Sequence, residues 1–222
     1  SFLSQWGWFP LAYIATVPAF MLANRARWIE VPFLGFLYGL AAYALNNFWL
    51  VGFHPLAVFA VPVIYAVYFM FLLPLLKGAR SLSPRYGYLL QIALWLAYEY
   101  LRTQGYLGYS YGIMGYTQYL FIPLIGIAEL GGVWAVSLLV VAPGAYLAAA
   151  LSERPIAVWA FLREHWIAPL VYAAAFAAAI TYGLIAQVDY SESPTWRVAL
   201  IQQNSDPLAE GRRSYWESLE RS

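Results

Sequence analysis

Runs of about twenty residues without a charged side chain recur along this chain, at 31–51, 55–76 and 166–186 among others, and that is the length needed to cross the hydrocarbon core of a bilayer. A soluble domain cannot hide so many such runs, because each would need a polar shell that the sequence does not supply. Composition agrees: 63% of the 222 residues are hydrophobic, only 10% are charged, and mean hydropathy is +0.62. The 19 Tyr and 10 Trp suit a chain that meets headgroups, where amphipathic rings collect, and equally suit packing between helices. The expected fold class is mainly α, a multi-span transmembrane helix bundle.

Six apolar candidates for spans follow one another at 11–22, 31–51, 55–76, 86–101, within 119–151, and at 166–186. The fifth region is longer than one span, so its opening part, with Pro123 and Glu129, is expected to lie along the outer surface. Lysines and arginines between spans favour the cytoplasmic side. Arg25 and Arg27, then Lys77, Arg80 and Arg85, then Arg154 and Arg163 all fall in loops on one side, whereas the opposite loops carry only Arg102. Alternation then puts Asp189 onward outside, which in a bacterium is the periplasm.

After residue 188 the character changes. Residues 189–196 read as a polar linker. Residues 197–202, RVALIQ, form a compact apolar run that predicts a strand, and 210–221 carry Tyr215, Trp216 and Leu219 at helical spacing. A strand and one helix cannot bury their own apolar faces, so 197–222 is expected to open a soluble α/β domain completed by residues after Ser222. The domain reading is therefore 1–188 membrane bundle, 189–196 linker and 197–222 the start of a truncated domain, and the chain reads as a fragment.

Ionisable groups at membrane depth are costly without a partner and are the first candidates for function. Glu99 and Arg102 stand three apart on one predicted helix face and can neutralise each other at the outer end of the span, as a local salt bridge or as part of a site. The loop that follows, GYLGYSYGIMGYTQ at 105–118, has the backbone freedom to line a cavity, with Tyr109, Tyr111, Tyr116 and Gln118 able to contact a lipid headgroup; an interfacial aromatic loop is the plainer alternative. Asn46 and Asn47 are expected to bond between helices. His54 and His165 lie at opposite ends of the bundle and cannot share a metal. No nucleophile, phosphate-loop or zinc pattern occurs, no metal or other cofactor is expected, and a net charge of +1 without a basic patch gives no reason to expect nucleic acid. With no cysteine, the chain has no thiol nucleophile.

Taken in order, WLAYEYLR at 95–102, GYSYGIMGYTQ at 108–118, PLIGIAELGGVWAVS at 123–137 and VALIQQN at 198–204 resemble the bacterial apolipoprotein N-acyltransferases. The resemblance implies a bundle of membrane helices in the bacterial inner membrane, a periplasmic nitrilase-like domain beginning at 197–222, and one closing span. It implies an enzyme whose cysteine takes an acyl chain from a membrane phospholipid and passes it to the terminal amine of a diacylglyceryl-lipoprotein, with a Glu base and an oxyanion-stabilising Lys. That triad is expected beyond Ser222, so these residues alone are expected to be inactive. By motif position, Glu99, Arg102, Gly108, Tyr109, Tyr111, Gly115, Tyr116 and Gln118 match the outer face of the family's bundle beside the lipid route. One departure is plain: many members have Phe-Pro-Trp where this chain has Tyr109, Ser110 and Tyr111. A transporter or non-catalytic membrane module is the alternative from another class, though the broken helices and midplane charge pairs of a transporter are not evident. A third reading keeps the fold in a helper of a glycosyltransferase acting on polyprenyl phosphates.

Overall fold

The structure is a computed structural model in which residues 9–52, 56–106, 108–153 and 155–187 are described, with the side chains of 155–157 excepted, together with Pro194, Val198 and Ala199. The chain divides into two compact units, 1–187 and 188–222, and every helix among the described residues belongs to the first. The strand expected at 197–202 and the helix at 210–221 lie outside the described residues, save Val198 and Ala199, which belong to no regular element.

Among the described residues every long element is helical: α1 Ala12–Ala15, α2 Val17–Arg25, α3 Val31–Asn47, α4 Ala57–Leu82, α5 Gly87–Arg102, α6 Ile122–Ile125, α7 Ala128–Ser152, α8 Pro155–Glu164 and α9 Ile167–Ile185. Short 3-10 turns add Phe9–Leu11, Phe48–Gly52 and Met114–Gln118. Four stretches are long and apolar enough to cross a membrane: Val31–Gly52, Ala57–Leu82, Ala128–Ser152 and Ile167–Ile185. Two of the six expected spans fall short of this. Residues 11–22 form two helices parted at Thr16, where Pro18 sits in the first turn of α2 and cannot donate back to the preceding turn. Helix α5 has 16 residues, and Gln91, Glu99 and Arg102 occupy its buried face in place of apolar side chains.

The long region at 119–151 also divides. Helix α6 ends at Ile125, and within α7 the backbone leaves helical geometry at Gly131 and Gly132, the latter with φ 62°, a left-handed conformation that glycine adopts without strain. Pro62 and Pro74 lie inside α4, where apolar surroundings and neighbouring helices tolerate them.

Glycine sets how closely the helices cross. A Cβ on Gly35 or Gly39 of α3 would meet the backbone and Cβ of Phe69 on α4 at 2.5 and 2.7 Å. On Gly144 of α7 it would strike Thr16 Oγ1, and on Gly183 of α9 the carbonyl of Pro123. Without a hydrophobic drive between helices in lipid, such close van der Waals contact is the main source of packing energy. One buried cluster joins Phe20, Tyr43, Phe69, Leu73, Trp95 and Val141, from α2, α3, α4, α5 and α7. A second joins Ala12, Leu124, Val140 and Ala179, from α1, α6, α7 and α9, so α7 is the helix the two cores share.

The exterior is apolar, and several polar side chains lie inside. Asn47, Gln91, Glu99, Arg102, Gln118 and Ser137 are fully buried, while Phe59 is 70% and Phe33 63% exposed. An exterior of large apolar side chains, with polar side chains confined to the interior beside the two apolar cores, is what hydrocarbon as solvent selects.

Candidate functional site

The buried face of α5 runs through Tyr88, Gln91, Ile92, Trp95, Tyr98, Glu99 and Arg102, a spacing of three and four that carries both charged residues inward. They are each 1% exposed. Their expected mutual ion pair does not form: no contact within 4.0 Å joins the two groups. The loop after α5 folds back and offers each a better-placed partner. Tyr109 N–H donates to the carbonyl of Arg102 at 2.9 Å, closing the turn. Glu99 Oε1 accepts from the backbone N–H of Met114 at 3.0 Å and from Trp95 Nε1 at 3.1 Å. Arg102 Nη1 donates to the carbonyl of Tyr111 at 2.6 Å. One carboxylate and one guanidinium thus hold main-chain groups three residues apart in the loop, and charge-assisted bonds of this type are the stronger ones.

Arg102 is further enclosed by rings. Its guanidinium carbon lies 5.6 Å from the ring centroids of both Tyr43 and Tyr98, whose hydroxyls are 2.8 Å apart. A desolvated cation between two aromatic faces gains from both quadrupoles. From Tyr43 a series of rings leads along the loop: Tyr43 to Tyr65 at 4.9 Å, Tyr65 to Tyr109 at 4.9 Å, Tyr109 to Tyr111 at 5.1 Å and Tyr111 to Trp49 at 5.3 Å. Tyr109 donates its hydroxyl to Asn47 Oδ1, and burial pushes that hydroxyl up to about 12, so it remains a donor at neutral pH.

Two glycines let the loop approach. Gly112 has φ 80°, and a Cβ there would meet Asn46 Nδ2 at 3.2 Å and Arg102 Nη1 at 3.8 Å. Gly115 lies against α7, where a Cβ would come within 2.6 Å of the Val133 carbonyl, and its N–H donates to Ser137 Oγ at 2.9 Å.

Of the residues expected to form the site, the structure brings Glu99, Arg102, Tyr109 and Tyr111 together. Tyr111 and Tyr116 are 55% and 51% exposed, the outward face of the loop. Gln118 faces elsewhere: buried, it donates to the Phe9 carbonyl at 3.2 Å and Thr117 Oγ1 at 2.9 Å and accepts from Tyr13 at 3.1 Å, which ties the loop's end to the N-terminal helix. Asn47, Tyr43, Tyr98, Trp95 and Ser137 belong to the site as well. Tyr43 and Asn47 stand four apart at the end of an apolar helix, the one available sequence signal. Asn47 bonds to the loop rather than to another helix. Glu99 Oε2, Arg102 Nε and Asn47 Nδ2 are buried without a hydrogen-bond partner among the described residues.

Glu129 and the histidines stand apart from this cluster. Glu129 accepts from the Tyr182 hydroxyl at 3.0 Å. His165 packs against Phe161 at 4.4 Å and Tyr86 at 5.5 Å, and His54 lies outside the described residues. Among the described residues no three His, Asp or Glu gather as metal ligands.

Residues 2–146 match the family model described as the apolipoprotein N-acyltransferase N-terminal domain. The chain is 38% identical over 199 residues to apolipoprotein N-acyltransferase 1 of Treponema denticola, covering 88% of this chain and 36% of that protein. It is also 38% identical over 213 residues to apolipoprotein N-acyltransferase 1 of Treponema pallidum, covering 92% and 39%. With apolipoprotein N-acyltransferase of Borreliella burgdorferi it shares 26% identity over 222 residues, covering 94% and 40%. The chain thus spans little more than a third of the length of these curated relatives. No solved structure matches it.

Proposed function

The chain belongs to the apolipoprotein N-acyltransferase family, and from that membership we propose that it forms the membrane platform of such an enzyme, holding an acyl-donor phospholipid at the outer end of the bundle. The observation that carries this reading is the loop held by Glu99 and Arg102. It leaves Tyr111 and Tyr116 outward while its backbone is fastened to charges inside. In this arrangement Glu99 and Arg102 act through the loop, and the exposed tyrosines meet the lipid.

The reaction is acyl transfer from phospholipid to the terminal amine of a diacylglyceryl-lipoprotein. These 222 residues contain no cysteine, so they contribute no thiol nucleophile; their part is to position the donor. Residues 1–188 make up the bundle, 189–196 a linker, and 197–222 the beginning of a nitrilase-like domain on the periplasmic face of the bacterial inner membrane. The one-sided placement of Arg25, Arg27, Lys77, Arg80 and Arg85 supports this orientation.

The test is acyl transfer by the full-length protein that contains this chain, with phospholipid donor and a diacylated lipopeptide. Tyr111→Ala with Tyr116→Ala is expected to raise KM for the phospholipid at least severalfold and to leave KM for the lipopeptide unchanged. Absence of transfer by a folded protein that carries its thiol would overturn the enzyme reading. An unchanged phospholipid KM in the double variant would overturn the role of the loop.

A further inference from the structure

The end of the bundle remote from that loop carries more basic side chains than its carboxylates can neutralise. Each described carboxylate there is already held by an arginine: Glu30 by Arg27 at 2.8 Å, Glu153 by Arg80 at 2.6 Å and Glu164 by Arg85 at 2.9 Å. Arg25, Lys77 and Arg163 are left with no described carboxylate within 4.0 Å. Arg25 donates to the carbonyl of Leu151 at the end of α7. Lys77 instead stands over the Trp28 indole, its Nζ 5.3 Å from the ring centroid.

Trp28 is well placed to be a platform. It sits in the turn between α2 and α3, is 55% exposed, and its ring edge lies beside Gly78, one residue from Lys77. Ile29 beside it is 82% exposed. An amphipathic ring carrying a cation, flanked by an apolar side chain, combines the three contacts that a lipid offers at the boundary of its headgroup and acyl chains.

The geometry points to a binding site for an anionic phospholipid at Lys77 and Trp28, in the leaflet facing the charged end of the bundle. Its phosphate meets the lysine, and its first acyl carbons lie along Trp28 and Ile29. Helix α3 separates this turn from the aromatic loop by its 17 residues, roughly 25 Å at 1.5 Å per residue, so this lipid is not the proposed acyl donor. The inference rests on membrane insertion and not on acyl transfer.

The chain reconstituted in nanodiscs of equal parts phosphatidylglycerol and phosphatidylcholine, then released for native mass spectrometry, gives the test. Phosphatidylglycerol is expected to be retained in preference to phosphatidylcholine. Lys77→Gln is expected to lower its retention about fivefold, the ratio matching about 1 kcal/mol per basic side chain near anionic lipid. Lys77→Arg keeps the charge and is expected to keep the lipid. Trp28→Ala provides a second variant, also expected to reduce retention. Equal retention of the two lipids by the unmodified chain, or undiminished phosphatidylglycerol in Lys77→Gln, overturns the proposal. Displacement of the lipid by inorganic phosphate alone also overturns it, since the site would then recognise a free anion.

Discussion

Glu99 and Arg102 show what a single side chain does when hydrocarbon replaces water around it. Their spacing of three residues correctly put both on one face of α5, and that much was legible in the sequence. Their partners were not. Both reach backbone groups of a loop that comes after them in the chain, at Met114 and Tyr111, and no pattern of side chains encodes which carbonyl or N–H a returning loop will present. His165 offers a sharper residue-scale test. Packed against Phe161, Tyr86 and Tyr88, with Glu164, Arg85 and Arg80 nearby, it is held below its ordinary value of 6.5, burial being the main cause. The folded state favours neutral imidazole, so its contribution is complete above about pH 6.5 and is lost as pH falls toward the depressed value. Thermal unfolding in detergent at about pH 8 and about pH 5.5 is expected to show a larger loss for the unmodified chain than for His165→Phe. Equal losses would mean that His165 titrates alike in both states.

At the scale of elements, the sequence announced apolar runs more reliably than helix ends. Runs at 31–51, 55–76 and 166–186 correspond to long helices, and in the second of them apolar packing outweighs the two internal prolines, Pro62 and Pro74. The run at 11–22 breaks at Thr16 because Pro18 withholds an N–H, and the run at 119–151 breaks at Gly131 and Gly132, the second of which takes a positive φ that hydropathy does not register. Close crossings were less visible still, since a glycine has meaning only once its neighbour is known. Gly115 makes the point testable. Alanine there brings a Cβ within 2.6 Å of the Val133 carbonyl, whereas at Gly52 a Cβ would meet nothing within 4 Å among the described residues. Gly115→Ala is expected to destabilise by about 1–3 kcal/mol through overpacking and to loosen the loop. Gly52→Ala is expected to stay within about 0.5 kcal/mol of the unmodified chain. Unfolding in a denaturing detergent series would separate the two.

For the molecule as a whole, four long apolar helices and an apolar exterior suit a bilayer, and the placement of the basic loops is the basis of the proposed orientation. Because these 222 residues contain no cysteine, expressing them with one introduced thiol at a time maps this. Tyr106 is fully exposed in the loop after α5, and Leu82 is 83% exposed at the opposite end of the bundle. In intact cells an impermeant maleimide is expected to label Tyr106→Cys at once and Leu82→Cys only after permeabilisation. The reverse pattern would invert the proposed orientation and place residues 189 onward in the cytoplasm. The sharing of α7 by both cores also bears on how the chain is made. Helix α1 and Thr16 after it are buried against a helix that starts at Ala128, Ala12 in one cluster with Val140 and Thr16 against Gly144. At ~5–20 residues per second, more than a hundred residues of synthesis leave α1 waiting for roughly 5–20 s before its partner leaves the ribosome. Through that interval α1 lacks the helix it packs against, which makes the emergence of α7 the event that completes the burial of α1 in the bundle.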